Sequence, residues 1–545
     1  MNKKDYLFIA LLMGIFALGF WLRFYNLSQF PPAINRDEAA IGYNAYSILR
    51  TGRDEWGKFL PLAFKSFGDY KMPLYIYATV IPVKIWGLTA WAVRFWSFLA
   101  GSLAVILIYF FARWFFRKLG WSRRTANNFS LLSALFLAIN PWHLYFSRIG
   151  FEANLNLTFF LSGLTFFVYG LKRRWLLIFS SLSFALMLYT YSSSYIFLPL
   201  FLFIILILFS KNIFVKRDKW WLVAVVLLVI LGSHATWSLW QVSGAKANIT
   251  VFSDPSIIDS FNHQRTNLAT YSQFLAKIWL NKPFFYFRII THNYLATFSP
   301  KFLIISGGNH PWHMIPQMGN FYWLDLILMI IGLLALFKER KRLTLFLFAW
   351  ILIAPIPSAI TIDAPHATRL LQLIPPLVML AAVGFGKLTN WLLVAKKKLA
   401  ILLLFFLVYI FQIYRFGYLY FVSYPQNLSE SLFPKIDEAI DLVNKERNDR
   451  IVIFSNPLDF PYIYVAFYSQ FDPVLFQKKA IWKPANIANI TAVEHVDGYY
   501  FWEGTPKVDQ KAFYVLQGNS GPSAGFTLKN QVEESGKVYW SIYEN

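Results

Sequence analysis

Residues 175–210 read WLLIFSSLSFALMLYTYSSSYIFLPLFLFIILILFS, a run of 36 residues without a charged side chain. As one α-helix this run would be about 54 Å long, whereas the hydrocarbon core of a bilayer is only about 30 Å thick. The polar stretch YTYSSSY at residues 189–195 is therefore the expected place for a break. The run predicts two helices that cross a membrane in opposite directions.

Apolar blocks of the same kind recur throughout the 545-residue chain. The chain is 57% apolar, 20% aromatic and only 14% charged, whereas soluble proteins average about 25% charged residues. A large water-soluble core does not explain blocks of about 18 residues without a charge. With the long run counted twice, eleven spans are predicted, the others at residues 6–22, 95–112, 125–147, 153–171, 220–240, 321–337, 343–362, 370–386 and 399–414.

The net charge of +23 follows the same pattern, because the basic residues gather in short runs between the apolar blocks. Such runs follow every second predicted span, and two lysines precede the first span. The positive-inside rule therefore puts the amino terminus in the cytoplasm and the carboxyl-terminal tail outside. A membrane thus explains the surplus charge, which argues against a nucleic-acid partner. The chain contains no cysteine, which excludes disulfides and zinc–thiolate sites.

Three large pieces are predicted on the outer side of the membrane: a first loop at residues 23–94, a second loop at residues 241–320 and the tail. The apolar segment at residues 72–86 is interrupted by prolines and a lysine. We therefore expect it to be an amphipathic segment on the outer surface rather than a further span.

The tail alternates a helical pattern with short patterns typical of buried strands. We therefore predict an all-α polytopic membrane bundle at residues 1–420 and a small extracytoplasmic α/β domain at residues 421–545. The predicted helix of the tail lies at residues 432–445 and the predicted strands at residues 450–455, 499–502 and 512–516.

Residues 36–40 of the first loop read RDEAA and place an acidic pair, Asp37 and Glu38, shortly after the first span. A carboxylate at this position is a candidate general base. The alternative is structural, because a stretch with helical spacing starts at Ala40 and Asp37 would cap such a helix. The residues by themselves leave both interpretations open.

Lys71 lies in YKMPLY, before a proline-containing turn near the predicted membrane surface. A lysine at this place suits a lipid phosphate, which it would bind as a point charge, and ordinary snorkelling of the side chain is the alternative. Arg94 stands at the outer start of the second span. There it either anchors the span in the interface or contacts a phosphate.

Arg148 and Arg369 lie in short outer loops, the first in NPWHLYFSRIGFE and the second in DAPHATR. Arginines on the outer side run against the orientation bias and need a partner. An acidic neighbour in each loop offers a structural partner, and an anionic substrate is the functional option. His366 of the second loop is expected to be a hydrogen-bonding or interfacial residue rather than a metal ligand, because the histidine spacing does not match a metal site.

These motifs resemble the dolichyl-phosphate-mannose–protein mannosyltransferase family, glycosyltransferase family 39 in the wide sense, which includes the lipid A aminoarabinose transferases. The match to the family's motifs is specific over residues 25–115 and becomes less specific from there to about residue 390. No motif of the tail matches the family. Met72 departs from the family's Lys-Pro-Pro-Leu-Tyr, and DAPHATR has no clear match in the protein mannosyltransferases proper. The matching motifs are the acidic pair, TG at residues 51–52, KMPLY at residues 71–75 and GLTAWAVRFWSFLAG at residues 87–101.

The resemblance implies a class C glycosyltransferase fold, which is a helical bundle with an active site outside the cytoplasm. It implies transfer of a sugar, with inversion, from a polyprenyl-phosphate donor to an acceptor hydroxyl on a protein, lipid or glycan. Asp37 would be the general base with Glu38 beside it, and Lys71 would contact the lipid phosphate. Arg94 matches a family arginine. The motifs are bacterial in character, which points to a plasma or inner membrane.

Arg148 and Arg369, the other cations singled out in the outer loops, would also bind substrate, since a departing phosphate needs fixed positive charge. No cofactor is predicted, and a divalent metal ion stays an open alternative. The substrate-binding residues are therefore expected to be Lys71, Arg94, Arg148, His366 and Arg369.

A polytopic transporter or lipid flippase is the competing interpretation. Transporters often carry an inverted repeat and charges at mid-membrane, whereas the middles of the predicted spans are nearly free of charge. A non-catalytic envelope assembly protein, with the tail as its recognition domain, is a third possibility. In that case the acidic pair would be dispensable.

Overall fold

The computed structural model describes the chain apart from residues 1–2, 68, 215–217, 242–249, 309, 340, 394–398, 429, 456–459, 485–490, 503–507, 509, 520 and 523–524. The described chain divides into two compact units. The helical unit comprises Met1–Tyr25 and Ser97–Tyr424, and the mixed unit comprises Asn26–Trp96 and Pro425–Asn545. Most of the first predicted outer loop thus belongs with the tail. The predicted domain boundary after residue 420 stays a prediction, because a compact unit need not coincide with a domain.

Helices dominate the described residues. Short 3₁₀ helices lie at Pro311–His313, Ala367–Leu373 and Glu430–Leu432, and π-helical turns at Lys301–Ile305 and Leu419–Ser423. The α-helices are α1 (Lys3–Phe24), α2 (Arg36–Thr51), α3 (Pro73–Trp86), α4 (Ala90–Lys118), α5 (Arg123–Ile139), α6 (Pro141–Phe146), α7 (Glu152–Gly170), α8 (Leu176–Thr190), α9 (Ser194–Phe214), α10 (Lys219–Trp240), α11 (Pro255–Tyr271), α12 (Gln273–Trp279), α13 (Lys282–Ala296), α14 (Trp323–Phe337), α15 (Arg342–Ile353), α16 (Ile356–Ala359), α17 (Ile374–Leu393), α18 (Leu399–Tyr418), α19 (Tyr424–Gln426), α20 (Ile436–Glu446), α21 (Pro461–Tyr468) and α22 (Pro473–Lys479).

Each of the eleven predicted spans has a helix in the described residues, namely α1, α4, α5, α7, α8, α9, α10, α14, α15, α17 and α18. By length and composition, seven apolar helical stretches of the described chain are able to cross a membrane, and α8 and α14 are shorter apolar helices. The prediction of a polytopic helical membrane bundle is confirmed. The predicted basic run at residues 396–398 lies outside the described residues.

The long apolar run breaks where its polar residues predict, because α8 ends at Thr190 and α9 begins at Ser194. A buried amide on α7 stabilises the break. Asn156 Nδ2 donates to the carbonyl oxygen of Met187 at 2.9 Å and to Ser194 Oγ at 2.7 Å. Its Oδ1 accepts from Gln372 Nε2 at 2.6 Å. Polar groups of the interrupted helix are thereby satisfied inside the bundle, as a membrane interior requires.

Helices α14 and α17 approach each other at two glycines. A Cβ atom on Gly332 would overlap the carbonyl oxygen of Leu380, and one on Gly384 would overlap the carbonyl oxygen of Leu328. Small residues allow membrane helices to pack backbone against backbone, where dispersion rather than the hydrophobic effect holds them together. These glycines therefore fix the contact between two predicted spans.

The mixed unit contains a hairpin and a larger sheet. The strands are β1 (Phe64–Ser66), β2 (Asp69–Lys71), β3 (Ile451–Ser455), β4 (Ile481–Trp482), β5 (Val493–Val496), β6 (Tyr499–Trp502), β7 (Ala512–Gln517), β8 (Thr527–Glu534) and β9 (Lys537–Glu544). β1 and β2 pair antiparallel. In the described residues the sheet of the tail has seven strands in the order β4-β5-β6-β3-β7-β9-β8. β3 runs parallel to β6 and β7, and the other neighbours are antiparallel.

The predicted α/β character of the tail is confirmed. The predicted helix and strands correspond to α20, β3, β6 and β7, and the buried side chains of Ile453, Tyr514 and Leu516 belong to one core cluster of the sheet. Strands β4, β5, β8 and β9 were not predicted. β8 reads TLKNQVEE and is largely exposed at the edge of the sheet, so it lacks an apolar run.

The segment predicted as amphipathic forms the 14-residue helix α3. At 1.5 Å per residue it is about 21 Å long, which is too short to cross a hydrocarbon core of about 30 Å. Tyr75 and Ile76 are buried on one side, while Ile81 and Ile85 are 57% and 62% exposed on the other. The helix is thus apolar on both sides rather than amphipathic.

We expect Gly384→Ala to destabilise the helical unit by about 1–3 kcal/mol, because the added methyl group forces α14 and α17 apart. The melting temperature of the purified protein in detergent measures the effect. Gly417→Ala on α18 is the matched control, since nothing lies within 4 Å of a Cβ atom at that position. Equal melting temperatures for Gly384→Ala and Gly417→Ala would contradict the close approach.

Candidate active site

The start of α2 gives Asp37 and Glu38 different roles in the helix cap. Asn35 is the N-cap, and its Oδ1 accepts from the backbone N–H groups of Asp37 and Glu38, each at 3.0 Å. Glu38 Oε2 accepts in return from the Asn35 backbone N–H at 3.2 Å, which completes a capping box. The interpretation of Asp37 as the N-cap is thus wrong, because Asn35 caps the helix and Glu38 closes the box.

Glu38 also forms a buried ion pair with Arg94. Glu38 Oε1 lies 2.9 Å from Arg94 Nε, and each side chain is 1% exposed. The Arg94 guanidinium donates further to the carbonyl oxygens of Leu27, Pro31 and Ala33, each at 3.0 Å. A buried charge pair persists only where such hydrogen bonds satisfy the remaining donors. The structure therefore brings Glu38 and Arg94 together as the link between α2, the residues before it and the first turns of α4.

Asp37 points to a different partner, Lys71. The Lys71 Nζ lies 3.1 Å from Asp37 Oδ1, and the two side chains are 13% and 27% exposed respectively. Lys71 is the last residue of β2, where it pairs with Phe64 of β1, so the hairpin fixes the position of the lysine. The structure places an ionisable carboxylate and a cation side by side, and both retain access to solvent.

Arg36, which precedes Asp37 in the chain and was not singled out from the sequence, is held by two aromatic rings. Its guanidinium carbon lies 5.4 Å from the ring centre of Phe67 and 5.2 Å from that of Phe460. Cation–π contacts of this kind hold a guanidinium in a fixed direction. Phe67 has a φ of 52°, a strained conformation for an aromatic residue. The turn of the hairpin therefore holds the ring over Arg36 at a conformational cost.

Glu55 is a buried carboxyl group that sequence analysis also missed. It follows α2, is 1% exposed, and accepts from Asn44 Nδ2 at 3.3 Å. Burial raises the pKa of Glu55 to about 8, and the neighbouring Asp54 contributes in the same direction. A carboxyl group in a loop gives no sequence signal of this kind, because its burial depends on residues distant in the chain.

The tail supplies contacts that fix α2 within the mixed unit. Gln477 Nε2 donates to Ser47 Oγ at 3.0 Å, to Thr51 Oγ1 at 3.2 Å and to the Asp54 carbonyl oxygen at 2.9 Å. Tyr43, which is also on α2, packs edge to face on an aromatic ring of α22. The helix that carries Asp37 is therefore held at its carboxyl end by α22 of the tail.

Arg148 belongs to the helical unit and is 1% exposed. Its guanidinium donates to the carbonyl oxygens of Leu22 and Tyr25 at 2.8 and 2.6 Å, and to Tyr420 Oη at 3.1 Å. Carbonyl groups at the end of a helix lack partners within the helix. These hydrogen bonds give donors to carbonyl groups at the end of α1. Arg23, which was not predicted, is equally buried and donates to Ser147 Oγ at 3.2 Å.

His366 and Arg369 also lie in the helical unit. Arg369 Nη1 donates to Thr361 Oγ1 at 2.6 Å. The ring of His366 lies 4.6 Å from that of His313, and its Nδ1 is 2.7 Å from Thr368 Oγ1. Burial, together with the charge of Arg369, lowers the pKa of His366 below its usual range. Among the described residues, no group of three or more histidine and acidic side chains has a geometry that could hold a metal ion.

The seven predicted site residues thus fall into two sets. The structure brings together Asp37 with Lys71, and Glu38 with Arg94, in the mixed unit. Arg148, His366 and Arg369 belong to the helical unit.

Solved structures of two proteins share the fold. ArnT from Cupriavidus metallidurans, solved bound to undecaprenyl phosphate, has a TM-score of 0.54 and 12% sequence identity over 100% of this chain and 98% of that chain. Its apo structure has a TM-score of 0.51 and 13% identity over 99% and 97%. The archaeal oligosaccharyltransferase AglB from Archaeoglobus fulgidus was solved with an inhibitory peptide and a dolichol-phosphate. It has a TM-score of 0.52 and 12% identity over 86% of this chain and 64% of that chain.

At these identities the similarity shows the fold alone. The predicted class C glycosyltransferase fold is confirmed. No family model matches the sequence, and no curated protein matches it significantly. This chain spans nearly the whole length of ArnT but less than two thirds of the length of AglB.

We expect Glu38→Gln to lower the stability of the protein by about 3–5 kcal/mol, because it leaves Arg94 buried without a counter-charge. The double variant Glu38→Gln/Arg94→Met should recover most of that loss. Thermal unfolding in detergent measures both.

The exposed ion pair between Lys479 and Asp497, at 2.6 Å, provides the control. Asp497→Asn should cost less than about 1 kcal/mol, since exposed pairs contribute little. A Glu38→Gln protein as stable as the parent, but without transferase activity, would support the predicted catalytic role of Glu38 over a structural one.

Proposed function

We propose that this chain is a membrane glycosyltransferase that moves a sugar from a polyprenyl-phosphate donor to an acceptor hydroxyl. The Asp37–Lys71 pair is the observation that carries the proposal. It combines a partly exposed carboxylate with a cation at 3.1 Å on a class C glycosyltransferase fold. The undecaprenyl phosphate bound to ArnT and the dolichol-phosphate bound to AglB support the same class of donor.

Asp37 acts as the general base. Its carboxylate takes the proton of the acceptor hydroxyl while the acceptor oxygen attacks the anomeric carbon of the sugar. The bond between that carbon and the phosphate oxygen breaks, and the configuration inverts. The helix cap leaves Asp37 available for this role, because Asn35 and Glu38 satisfy the first backbone donors of α2.

Lys71 stabilises the leaving group. The polyprenyl phosphate departs with a growing negative charge, which a fixed cation stabilises more strongly in the transition state than in the ground state. Before the donor binds, the ammonium of Lys71 pairs with the carboxylate of Asp37. A phosphate is itself a good leaving group, so the reaction needs neither a general acid nor a metal ion.

Three further points remain predictions. They are that Arg148, His366 and Arg369 contact the substrate, that the reaction takes place on the outer face of the membrane, and that the amino terminus is cytoplasmic. The acceptor is a hydroxyl group on a protein, a lipid or a glycan. The positions of Glu38 and Arg94 favour a supporting role, in which they hold α2 so that Asp37 faces its partner.

Asp37→Asn should lower the rate of sugar transfer by about 10²- to 10⁴-fold, the range that a positioned general base contributes. The assay uses membranes that contain the full chain, a panel of labelled polyprenyl-phosphate sugars, and detection of label on protein, lipid and glycan. Asp259→Asn, an exposed aspartate on α11, is the matched control and should leave transfer unchanged.

Full activity of Asp37→Asn would remove this residue as the base. A parent protein that transfers no sugar from any donor of the panel would overturn the proposed function. That outcome would favour a transporter, a flippase or an assembly protein.

Excess chelator should leave the transfer rate unchanged, because the proposed chemistry involves only protein groups and the lipid phosphate. The same membrane assay with and without chelator measures this. Loss of activity that a divalent cation restores would show that a metal ion takes part.

A further inference from the structure

A basic cavity lies at one end of the helical unit, where α4, α7 and α9 end and α15 begins. It consists of two adjoining spaces of about 270 and 440 Å³ that share Trp114, Lys118, Val168 and Lys172. The basic cavity is lined by Arg113, Trp114, Arg117, Lys118, Val168, Tyr169, Leu171, Lys172, Leu208, Phe209, Arg342 and Leu343.

The cations of this cavity have no acidic counterpart among the described residues. Its described lining contains the side chains of five arginines and lysines and no aspartate or glutamate. In the described chain none of the five lies within 4.0 Å of a carboxylate, whereas nearby Lys341 pairs with Glu339 at 3.1 Å. Like charges gathered around one space repel each other, and an anion in that space relieves the repulsion.

Four of the five cations are exposed at helix ends or in a loop, whereas the position of Arg113 exceeds what orientation in a membrane requires. Basic residues that only set topology belong in the loops beyond the spans. Arg113 instead lies within α4, more than a turn before its end, and is partly buried. Next to it, the ring of Trp114 packs against Phe111 and Phe209, with centres 6.1 Å apart in both cases. Packed aromatic rings therefore form this wall of the cavity.

An apolar cavity of about 320 Å³ adjoins the basic one through Leu171, which lines both. It lies among α7, α8, α9 and α10, and its walls are mainly leucine, isoleucine and phenylalanine. Ala224 on α10 forms part of its wall. Arg174 is the one charged residue in the described lining of this cavity. Apolar space that continues a cluster of cations suits an amphipathic anion and gives no advantage to a small soluble one.

We propose that these two cavities bind one anionic phospholipid, with the phosphodiester head group in the basic cavity and an acyl chain along the apolar cavity. Arginines bind phosphate oxygens through paired N–H groups, and lysines bind them as point charges. Basic pockets between membrane helices on the cytoplasmic side are suited to anionic head groups. This site is separate from the Asp37–Lys71 pair and stands whether or not the proposed function holds.

The test compares lipid binding by the full chain and by a cavity variant, Arg113→Gln/Lys172→Gln/Arg342→Gln. Native mass spectrometry in a mild detergent titrates each protein with phosphatidylglycerol or with zwitterionic phosphatidylcholine. The parent should retain phosphatidylglycerol preferentially, and the variant should bind it at least tenfold more weakly. The matched control Arg265→Gln/Lys277→Gln/Lys282→Gln removes the same charge from exposed positions of α11 to α13 and should bind like the parent.

A second variant tests the apolar part. Ala224→Phe fills the apolar cavity and should weaken phosphatidylglycerol binding while the five cations stay in place. Inorganic phosphate alone should compete poorly, because it lacks the acyl chain.

Three outcomes overturn the proposal. The cavity variant and the control lose binding equally, phosphatidylcholine binds as tightly as phosphatidylglycerol, or inorganic phosphate displaces the lipid at similar concentration. The last outcome assigns the basic cavity to a free phosphate instead. Melting curves without lipid show whether each variant is folded, so that a loss of binding is attributed to the site.

Discussion

The buried ion pair between Glu38 and Arg94 is the constraint on which the arrangement of α2 depends. Removing two charges from water is costly, and the pair persists because main-chain carbonyl groups satisfy the remaining donors of Arg94. Successive residues of a helix point about 100° apart. Once Glu38 is buried against Arg94, the direction of Asp37 is therefore set, and it faces Lys71. One carboxylate of the pair is thus buried, whereas its neighbour lies at a partly exposed position beside a cation.

The spans of the bundle follow from the sequence, whereas the mixed unit does so only in part. Apolar runs and the basic residues between them specify membrane helices locally, so the break at residues 189–195 is visible without any homologue. The association of Asn26–Trp96 with Pro425–Asn545 is different. It joins segments more than three hundred residues apart, and periodicity reports only on neighbours in the chain.

The candidate site shows the same division between local and distant information. Asp37 and Lys71 are recognisable from their motifs, but the sequence does not distinguish Asp37 from Glu38. The two side chains differ in burial, and the burial of Glu38 depends on its contact with Arg94. The guanidinium of Arg36 is held by Phe67, which lies in the turn of the hairpin, and by Phe460, which lies in the tail. Arg148 illustrates the reverse case. The sequence predicts that this arginine needs partners, and carbonyl groups of α1 more than a hundred positions away are among those it has.

The contacts of Gln477 have a consequence for the order in which the protein matures. The residues of α2 that Gln477 holds are translated more than four hundred positions earlier. All eleven predicted spans precede Gln477 in the chain, so these contacts form only after the last span has been synthesised. A nascent or truncated chain without α22 therefore lacks the hydrogen bonds that hold the carboxyl end of α2.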